Sequence, residues 1–218
     1  MPDASNNAQH DTSPAIPQTE YSSGAPSCPN RYIWPVLLNI LDNNKVSSRR
    51  IFEIGSGNGA TANLLASRGY DVTAIEPSRE GVDVARQNFS GPAFHLGTGY
   101  DDLAATYGTF PIVISLEVIE HCYSPKTFLE RTYDLLEPGG LGIISTPFHS
   151  YLKNLALSLA NKWDTHHDPL WEGGHIKFYS EKTLARALGE AGFTQVKFER
   201  AGRLPILAKS MLAVFRRP

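Results

Sequence analysis

The stretch FEIGSGNGATANLLASRGYDVTAIEPS, residues 52–78, decides the fold, because it places three glycines within five positions between two apolar runs. The runs RIFEI and DVTAIE predict strands, and ATANLLASRG between them predicts a helix that ends at Gly69. Gly55, Gly57 and Gly59 occupy the turn from the first strand into that helix. Such a turn directs backbone N–H groups and a helix N-terminus toward a ligand, and it therefore predicts a nucleotide-binding site.

The rest of the chain repeats this alternation of short apolar runs and amphipathic segments. Strands are predicted at AFHL, PIVIS and LGIIST, and helices at RYIWPVLLNILDNN (with Pro35 in its first turn), SREGVDVARQN and PKTFLERTYDLL. Pro138, Gly139 and Gly140 are expected to stop the last of these helices. A helix at SEKTLARALGEAGF and strands at QVKFERA and SMLAVFRR follow. The pattern predicts an α/β fold with a mostly parallel sheet flanked by helices.

Length and composition indicate how the 218 residues are organised. Residues 1–28 are rich in Asn, Ser, Pro, Gln and Ala and predict a disordered N-terminal tail, whereas residues 29–218 predict a single domain. The formal net charge of -2 argues against a dedicated nucleic-acid binder. Two cysteines offer no disulfide framework, and neither a secretory signal nor an apolar span is recognisable, which predicts a cytoplasmic location.

Two acidic residues indicate which nucleotide the glycine-rich turn holds. Glu76 ends the second strand, where an acid can accept hydrogen bonds from both hydroxyls of a ribose. The spacing Gly55-x-Gly57-x-x-Ala60 also satisfies the dinucleotide fingerprint, so the glycines alone do not discriminate. Glu53 does discriminate, because its charge would repel a pyrophosphate but would suit a ligand that carries positive charge and no phosphate.

Together with the junction LLEPGGLGII, these features resemble the class I methyltransferases that use S-adenosylmethionine, in order over residues 50–146. The resemblance implies a Rossmann-like, seven-stranded, mostly parallel sheet whose last strand is antiparallel. Relatives often carry an acid directly after the third strand, where this chain has GTG, so adenine recognition is assigned to Asp101 or the backbone near it. The resemblance implies S-adenosylmethionine as cofactor, held by Glu53, Gly55, Ser56, Gly57, Asn58, Gly59, Glu76, Pro77, Asp101, Leu116 and Glu117.

The segment SLEVIEHCYSP follows the fourth strand and places Glu117, Glu120 and His121 at positions i, i+3 and i+4. In one helical turn all three would project from the same side, at the carboxyl end of a central strand where open α/β sheets bind ligands. Val118 and Ile119 are expected to face the core. Two carboxylates and an imidazole that converge there would raise the pKa of at least one acid, and a divalent cation would relieve their repulsion.

EVIEH is similar to the Glu-x-x-Glu-His motif of the UbiG-type ubiquinone O-methyltransferases and of the RNA methyltransferases that modify the terminal 2′-hydroxyl of small RNAs. This closer resemblance implies a divalent metal such as Mg²⁺ on Glu117, Glu120, His121 and His175, the last from WEGGHIKFYS. It assigns catalysis to His121 and Glu117. Two interpretations without metal stay open, namely His121 as a general base or a turn with a purely structural role.

Residues 147–179 lie between the fifth strand and the last helix, where the superfamily places inserts that cover the substrate. Apolar side chains recur at helical spacing over residues 151–163, with Lys153 and Lys162 beside them. We expect a lid helix packed on its own domain. Peripheral membrane contact through residues 151–163 is the alternative, since the insert of UbiG-type relatives contacts membrane. The aromatic residues predicted to wall the substrate site, or to serve as core, are Phe148, Trp163, Trp171 and Tyr179.

The leading hypothesis is methylation of a small-molecule hydroxyl, with metal assistance as one form of the mechanism. N-methylation of a small molecule and 2′-O-methylation at the 3′ end of RNA are the enzymatic alternatives, and the lack of a basic surplus disfavours nucleic acid as a partner. A non-catalytic nucleoside-binding protein is the alternative from another class. The intact glycine-rich turn, Glu76 and His121 argue against it.

Overall fold

The computed structural model describes residues 21, 23–44, 46, 48–171, 173–203 and 207–218. Within these ranges the helices are α1 (Asn30–Asn43), α2 (Ala60–Ser67), α3 (Arg79–Asn88), α4 (Leu103–Tyr107), α5 (Pro125–Leu135), α6 (Tyr151–Leu159), α7 (Trp163–His167) and α8 (Glu181–Glu190). The strands are β1 (Arg50–Ile54), β2 (Asp71–Glu76), β3 (Ala93–Leu96), β4 (Phe110–Leu116), β5 (Leu136–Pro147), β6 (Thr194–Ala201) and β7 (Ser210–Arg216). A short 3-10 turn, Ile119–His121, follows β4.

The seven strands form one sheet in the order β3-β2-β1-β4-β5-β7-β6. Strands β1 to β5 pair in parallel, whereas β7 is antiparallel to both of its neighbours, β5 and β6. This confirms the predicted Rossmann-like sheet with an antiparallel last strand. The chain builds outward from β1 to β3 and then from β4 in the other direction, so β1 and β4 meet where the strand order reverses. Open α/β sheets bind their ligands at that point.

Side-chain caps set the starts of the helices that flank the sheet. Ser78 Oγ accepts a hydrogen bond from Gly81 N–H at α3, and Ser180 and Thr183 form a reciprocal capping box at α8. These caps satisfy backbone N–H groups that have no partner in the first turn of a helix. Both helices begin within one residue of the predicted starts, because the capping side chains are themselves readable in the sequence.

The junction between α5 and β5 differs from the prediction. Helix α5 ends at Leu135 and β5 begins at the next residue, so Pro138–Gly140 lies inside a strand of 12 residues and does not separate helix from strand. The N–H of Gly139 donates to the carbonyl of Arg217 at 2.8 Å, which ties this stretch to the residue after β7. A long-range backbone bond therefore extends the strand through residues whose local preference is a turn.

Helix α1 covers the sheet near β6 and β7 and buries Ile33, Leu37, Ile40 and Leu41. Pro35 lies in its second turn, not in the first as predicted, because the helix already begins at Asn30. The proline is exposed, so the interruption falls on the solvent side and leaves the buried stripe continuous.

Each face of the sheet has its own apolar core. Successive residues of β1 point to opposite faces, so Ile51 joins one core and Phe52 joins the other. The first core also holds residues of α1, and the second holds Phe128 from α5, Leu184 from α8 and Phe215 from β7. Helices on both faces leave only the ends of the strands open, so the carboxyl edge of the sheet is where a ligand can enter.

Residues 23–28 belong to the predicted tail, yet they lie against the glycine-rich turn. The side-chain amide of Asn58 donates to the carbonyls of Ser23 and Ala25, both at 2.8 Å. The boundary predicted at residue 28 is therefore too late, because composition does not register a segment that is held through its backbone. The prediction of disorder for residues 1–20 and 22 lies outside the described residues.

Candidate active site

The glycine-rich turn between β1 and α2 is held by the backbone of the neighbouring strand. The N–H groups of Gly55 and Ser56 both donate to the carbonyl of Ile75 at 2.9 Å. Gly57, in the middle of the turn, has a left-handed φ of +54°, which side chains with a Cβ rarely adopt. The turn is thus fixed in a conformation that leaves its backbone open to a close ligand.

Glu76, at the end of β2, holds the turn from the other side. Its Oε2 accepts from Gly57 N–H at 2.8 Å, and its Oε1 accepts from Ser78 N–H at 3.1 Å. Burial raises the pKa of Glu76, and these two N–H groups oppose that rise. Each carboxylate oxygen keeps a second lone pair, so the group can accept ribose hydroxyls while it orders the turn.

Glu53 is buried on β1 with no hydrogen-bond partner for its Oε2 in the described part of the chain. Burial, followed by repulsion from Glu76, raises the pKa of Glu53 to about 8. A buried carboxyl of this kind is expected to ionise when a positive charge binds beside it. The start of the glycine-rich turn, next to Glu53, therefore favours a cationic ligand and disfavours a phosphate.

Glu117 directly follows β4 and has a left-handed φ of 55°, which is uncommon for a residue other than glycine. Its N–H donates to Ser145 Oγ at 2.9 Å, and its carboxylate accepts from Ser145 Oγ at 2.7 Å and from Ser210 Oγ at 3.0 Å. Burial raises the pKa of Glu117 to about 7, although the hydrogen bonds from the two serine hydroxyls act to lower it. Hydrogen bonds on both sides thus maintain a strained backbone at the site.

The 3-10 turn brings Glu120 and His121 next to His175 of the insert, and one ligand atom from each lies within 4.8 Å of the others. Glu120 is fully buried, and neither of its carboxylate oxygens has a hydrogen-bond partner among the described residues. Burial, and then the charge of Glu117, raise the pKa of Glu120 well above its usual value. Glu117, which the resemblance placed in the same ligand set, is not part of this group of three.

The two histidines of this group are neutral at neutral pH. Burial lowers the pKa of His121. Burial also lowers the pKa of His175 to about 4, and the repulsion that a protonated His121 would exert is the second cause. Nδ1 of His121 lies 2.7 Å from the carbonyl oxygen of Gly173. Because a carbonyl oxygen only accepts, Nδ1 carries the proton and Nε2 keeps a free lone pair. Neutral imidazole is the form that binds metal ions or accepts a proton.

One cavity of about 910 Å³ joins the glycine-rich turn to the histidines. His121 and His175 line its far end with Trp171, Gly173 and Ile176. The predicted cofactor residues on its wall are Glu53, Gly55, Ser56, Gly57, Asn58, Glu76, Pro77, Leu116 and Glu117. The predicted donor and acceptor regions thus share a single space.

Two predicted cofactor residues do not line the cavity. Gly59 precedes α2 with a left-handed φ of 81° and has a structural place behind the turn. Asp101 is exposed, and its Oδ2 accepts from Thr98 N–H at 2.7 Å. Near it the wall is formed by Thr98, Gly99 and Tyr100. The structure therefore offers backbone and Tyr100, rather than the Asp101 carboxylate, beside the cavity.

Only one of the four predicted lid aromatics lines the cavity, namely Trp171. Phe148 and Tyr179 are buried in the core, in agreement with the alternative interpretation of these residues; Phe148 directly follows β5, and Tyr179 lies two residues before α8. Trp163 is half exposed and stacks on His167, with ring centroids 4.4 Å apart. The lid is attached through Glu120, whose carbonyl accepts from the N–H groups at residues 176 and 177.

Helix α6, at the start of the insert, has no buried residue. Tyr151 and Leu159 are 80% and 81% exposed, and Leu152 is 55% exposed. The expectation that this helix packs on its own domain is therefore not met in the described residues. Within that part of the chain no helix has both the length and the apolar composition needed to cross a bilayer.

Several residues that line the cavity escaped the sequence analysis. Val118 was expected in the core but packs over Gly55, where an added Cβ would lie 2.5 Å from it. Tyr21 comes from the predicted tail, and Phe128 from a helix whose stripe indicated only core. Tyr123 also lines the cavity, and its position two residues after EVIEH was a signal in the sequence.

A doubly wound sheet and a glycine-rich turn with two buried acids, in a cavity whose described wall contains no lysine or arginine, define a nucleoside site of the kind that S-adenosylmethionine-dependent methyltransferases carry. The family described as "Methyltransferase domain" matches residues 30–197. The chain belongs to this family.

Curated relatives carry the name ubiquinone biosynthesis O-methyltransferase. The protein from Caulobacter sp. (strain K31) is 34% identical over 113 residues, which cover 50% of this chain and 44% of that protein. The protein from Aromatoleum aromaticum is 28% identical over 169 residues, which cover 75% of this chain and 72% of that protein. The chain therefore spans less than half of the first relative's length.

Solved structures confirm the fold. Magnesium protoporphyrin IX methyltransferase (ChlM) from Synechocystis PCC 6803, with bound SAH, superposes with a TM-score of 0.62 at 18% identity, over 85% of this chain and 81% of that chain. The S-adenosylmethionine-dependent methyltransferase SibL in its apo form gives a TM-score of 0.64 at 23% identity, over 84% of this chain and 54% of that chain.

Gly57→Val is expected to weaken S-adenosylmethionine binding by at least about tenfold, because a branched side chain would fill the space where the backbone meets the donor. An added Cβ would already lie 3.2 Å from the ring of Tyr21. Isothermal titration calorimetry measures the affinity. Gly69→Val is the matched control, since Gly69 is also left-handed but has open space around it. Equal affinity in both variants would contradict the placement of the donor.

Glu53→Gln is expected to reduce the loss of stability with rising pH. The pKa of Glu53 is about 8 in the folded protein, and its ordinary value is 4.5. Between these two pH values the folded protein keeps the Glu53 proton, whereas the unfolded chain has lost it. Stability therefore falls as pH rises through this window, by about 1 kcal/mol or more for this group. Thermal unfolding at pH 5 and pH 8.5 measures the effect. Glu130→Gln, at an exposed position of α5, should keep the wild-type dependence, and a Glu53→Gln slope equal to it would refute the argument.

Proposed function

We propose that this methyltransferase acts on a hydroxyl group of a small molecule and that a divalent cation on Glu120, His121 and His175 assists it. The observation that carries the proposal is that Glu120 lies within 4.8 Å of His121 and His175, two residues that line the same cavity as the glycine-rich turn. The curated relatives named ubiquinone biosynthesis O-methyltransferase support oxygen as the acceptor atom.

The residues present fit a cation on chemical grounds. Both carboxylate oxygens of Glu120 are buried without a hydrogen-bond partner among the described residues. This arrangement costs free energy until a hydrogen-bond donor or a cation is supplied. Two neutral imidazoles stand within 4.8 Å of that carboxylate. One oxygen and two nitrogen donors suit Zn²⁺, Fe²⁺ or Mn²⁺ better than Mg²⁺, which prefers oxygen.

When bound, the cation would lower the pKa of an acceptor hydroxyl, and S-adenosylmethionine would supply an activated methyl group. The protein's own part is orientation, because the methyl group is already reactive once the acceptor oxygen is held in line with it. Trp171 and residues 173–176 line the same cavity as His121, so they would contact an acceptor held there.

His121 is the residue prepared to bind the cation or to take the acceptor's proton. The carbonyl of Gly173 holds the proton on Nδ1, so Nε2 keeps its lone pair. Gly173 belongs to the insert, and the insert therefore determines the tautomer of His121. Glu117 can serve as a second proton acceptor, since its pKa of about 7 allows both protonation states near neutral pH.

We also propose that α6 contacts a lipid surface. Its side chains Tyr151, Leu152, Leu155 and Leu159 are exposed, and no residue of the helix is buried. Lys162, three residues after the end of this helix, is exposed and provides positive charge for anionic headgroups. A lipid-embedded acceptor could then reach the cavity without crossing water.

The metal proposal predicts that His175→Ala and Glu120→Gln lose bound metal while they keep the wild-type affinity for S-adenosylmethionine, because the three ligands lie away from the glycine-rich turn. Elemental analysis of protein purified without chelators measures the metal, and calorimetry measures the affinity. His95→Ala is the matched control, since His95 lies on β3 outside the cavity. Metal-free wild-type protein whose activity EDTA leaves unchanged would defeat the proposal.

The membrane proposal predicts that wild-type protein sediments with vesicles of phosphatidylcholine and phosphatidylglycerol. The double variant Leu152→Glu/Leu159→Glu should bind at least about tenfold less, because two exposed leucines that would enter the lipid are exchanged for charges. Leu96→Glu is the control, at an exposed leucine of β3. Wild-type protein that stays in the supernatant would contradict this role of α6.

A further inference from the structure

The segment before α1 crosses the opening of the donor end of the cavity. Tyr21 and residues 23–29, which we call the N-terminal strap, contribute Tyr21, Ser23, Ala25, Ser27 and Pro29 to the cavity wall. The carbonyl of Pro29 accepts from the N–H groups of the first turn of α1, so the strap is continuous with that helix. Its course brings it over the glycine-rich turn.

Asn58 attaches the strap to the turn through a single side chain. Its Nδ2 donates to the carbonyls of Ser23 and Ala25, both at 2.8 Å. Its Oδ1 accepts from the N–H of Ala60 at 3.3 Å, which supports the start of α2. The amide nitrogen of Asn58 thus binds the strap, and its amide oxygen binds the start of α2. A variant can therefore remove the hydrogen bonds to the strap and keep the one to Ala60.

The strap is also closely packed at its outer side. An added Cβ on Gly24 would lie 2.9 Å from the side chains of Asn88 and Phe89, at the end of α3. The glycine therefore permits a contact with α3 that a larger residue would prevent. Together with the two hydrogen bonds of Asn58, this contact fixes residues 23–25 between the glycine-rich turn and the end of α3.

Tyr21 lies at the point where the strap meets the donor region. An added Cβ on Gly57 would be 3.2 Å from its ring, and one on Gly81 would be 3.0 Å from it. The same Cβ on Gly81 would lie 3.0 Å from Glu76. The ring is therefore beside the backbone and the carboxylate that are expected to meet the ribose.

We propose that Asn58 is a positioning residue that holds the N-terminal strap so that Tyr21 covers S-adenosylmethionine on the glycine-rich turn. The inference rests on the binding of the donor at this turn. A covering aromatic ring adds apolar contact and keeps water from the hydrogen bonds of Glu76. Because coupling between two binding events is reciprocal, the bound donor must also stabilise the closed strap.

Asn58→Asp separates the two tasks of the residue, since aspartate keeps an oxygen for the N–H of Ala60 but has no donor for the strap. We expect the affinity for S-adenosylmethionine to fall about tenfold with an unchanged melting temperature, because two hydrogen bonds to the strap are lost. The added negative charge would favour the cationic donor, so a fall in affinity would come from the strap. Calorimetry and thermal unfolding give the two measurements.

A double-mutant cycle tests whether Asn58 acts through the strap. Removal of residues 1–25 should weaken binding about as much as Asn58→Asp, and the combined variant should lose little more, since both changes remove the same contact. Removal of residues 1–20 is the control and should keep the full affinity. Additive losses, or an equal loss in the control, would overturn the assignment.

Chymotrypsin gives a readout that a purely structural role of Asn58 would not change. Cleavage after Tyr21 should slow severalfold when S-adenosylhomocysteine is bound, and this protection should disappear in Asn58→Asp. Tyr21→Ala should bind the donor less tightly than wild type. Tighter binding by Tyr21→Ala would show that the ring occupies the site instead of covering it, and would overturn the proposal.

The proposed role of the strap and the proposed donor site can be refuted independently. Wild-type binding that Gly57→Val abolishes and Asn58→Asp leaves unchanged would refute the strap and leave the donor site intact. A wild-type protein that binds neither S-adenosylmethionine nor its demethylated product would refute the donor site itself, and the strap with it.

Discussion

The hydrogen bond from Gly57 N–H to Glu76 Oε2, at 2.8 Å, is the constraint on which the site depends. It joins the turn after β1 to the end of β2, and the bonds from Gly55 and Ser56 to Ile75 reinforce the same junction. Parallel neighbouring strands end at one edge of the sheet, so a single set of contacts positions the ribose acceptor and the open backbone together. The donor site is thus already ordered before a ligand arrives, and less conformational entropy remains to be lost on binding.

The same edge of the sheet collects three buried acids and the partly buried Glu117, and loss of contact with water raises the pKa of Glu53, Glu76, Glu117 and Glu120 alike. Unpaired negative charge is costly in such a place. Ligands that bring positive charge relieve this cost, whereas a phosphate would add to it. This accounts for the preference of a dinucleotide-like glycine turn for a cationic nucleoside, and it gives the proposed cation at Glu120 the same physical basis.

Two segments that adjoin the site, the insert and the N-terminal strap, are joined to it by a few hydrogen bonds. The carbonyl of Glu120 accepts from two N–H groups of the insert, and the insert in turn orients His121 through Gly173. Asn58 makes the corresponding attachment to the N-terminal strap. Both segments are thus attached through hydrogen bonds of their own backbone groups.

The sequence by itself determined the strand and helix order, the glycine-rich turn, Glu76 and the EVIEH turn, because period, capping residues and glycine spacing are local properties of the chain. Only the tertiary structure decided that Glu117 bonds to Ser145 and Ser210, that Phe148 and Tyr179 are core, and that Asn58 holds the N-terminal strap. These outcomes depend on contacts between residues far apart in the chain. Helical or strand periodicity cannot report such contacts, since a buried apolar side chain and a cavity-lining one produce the same local pattern.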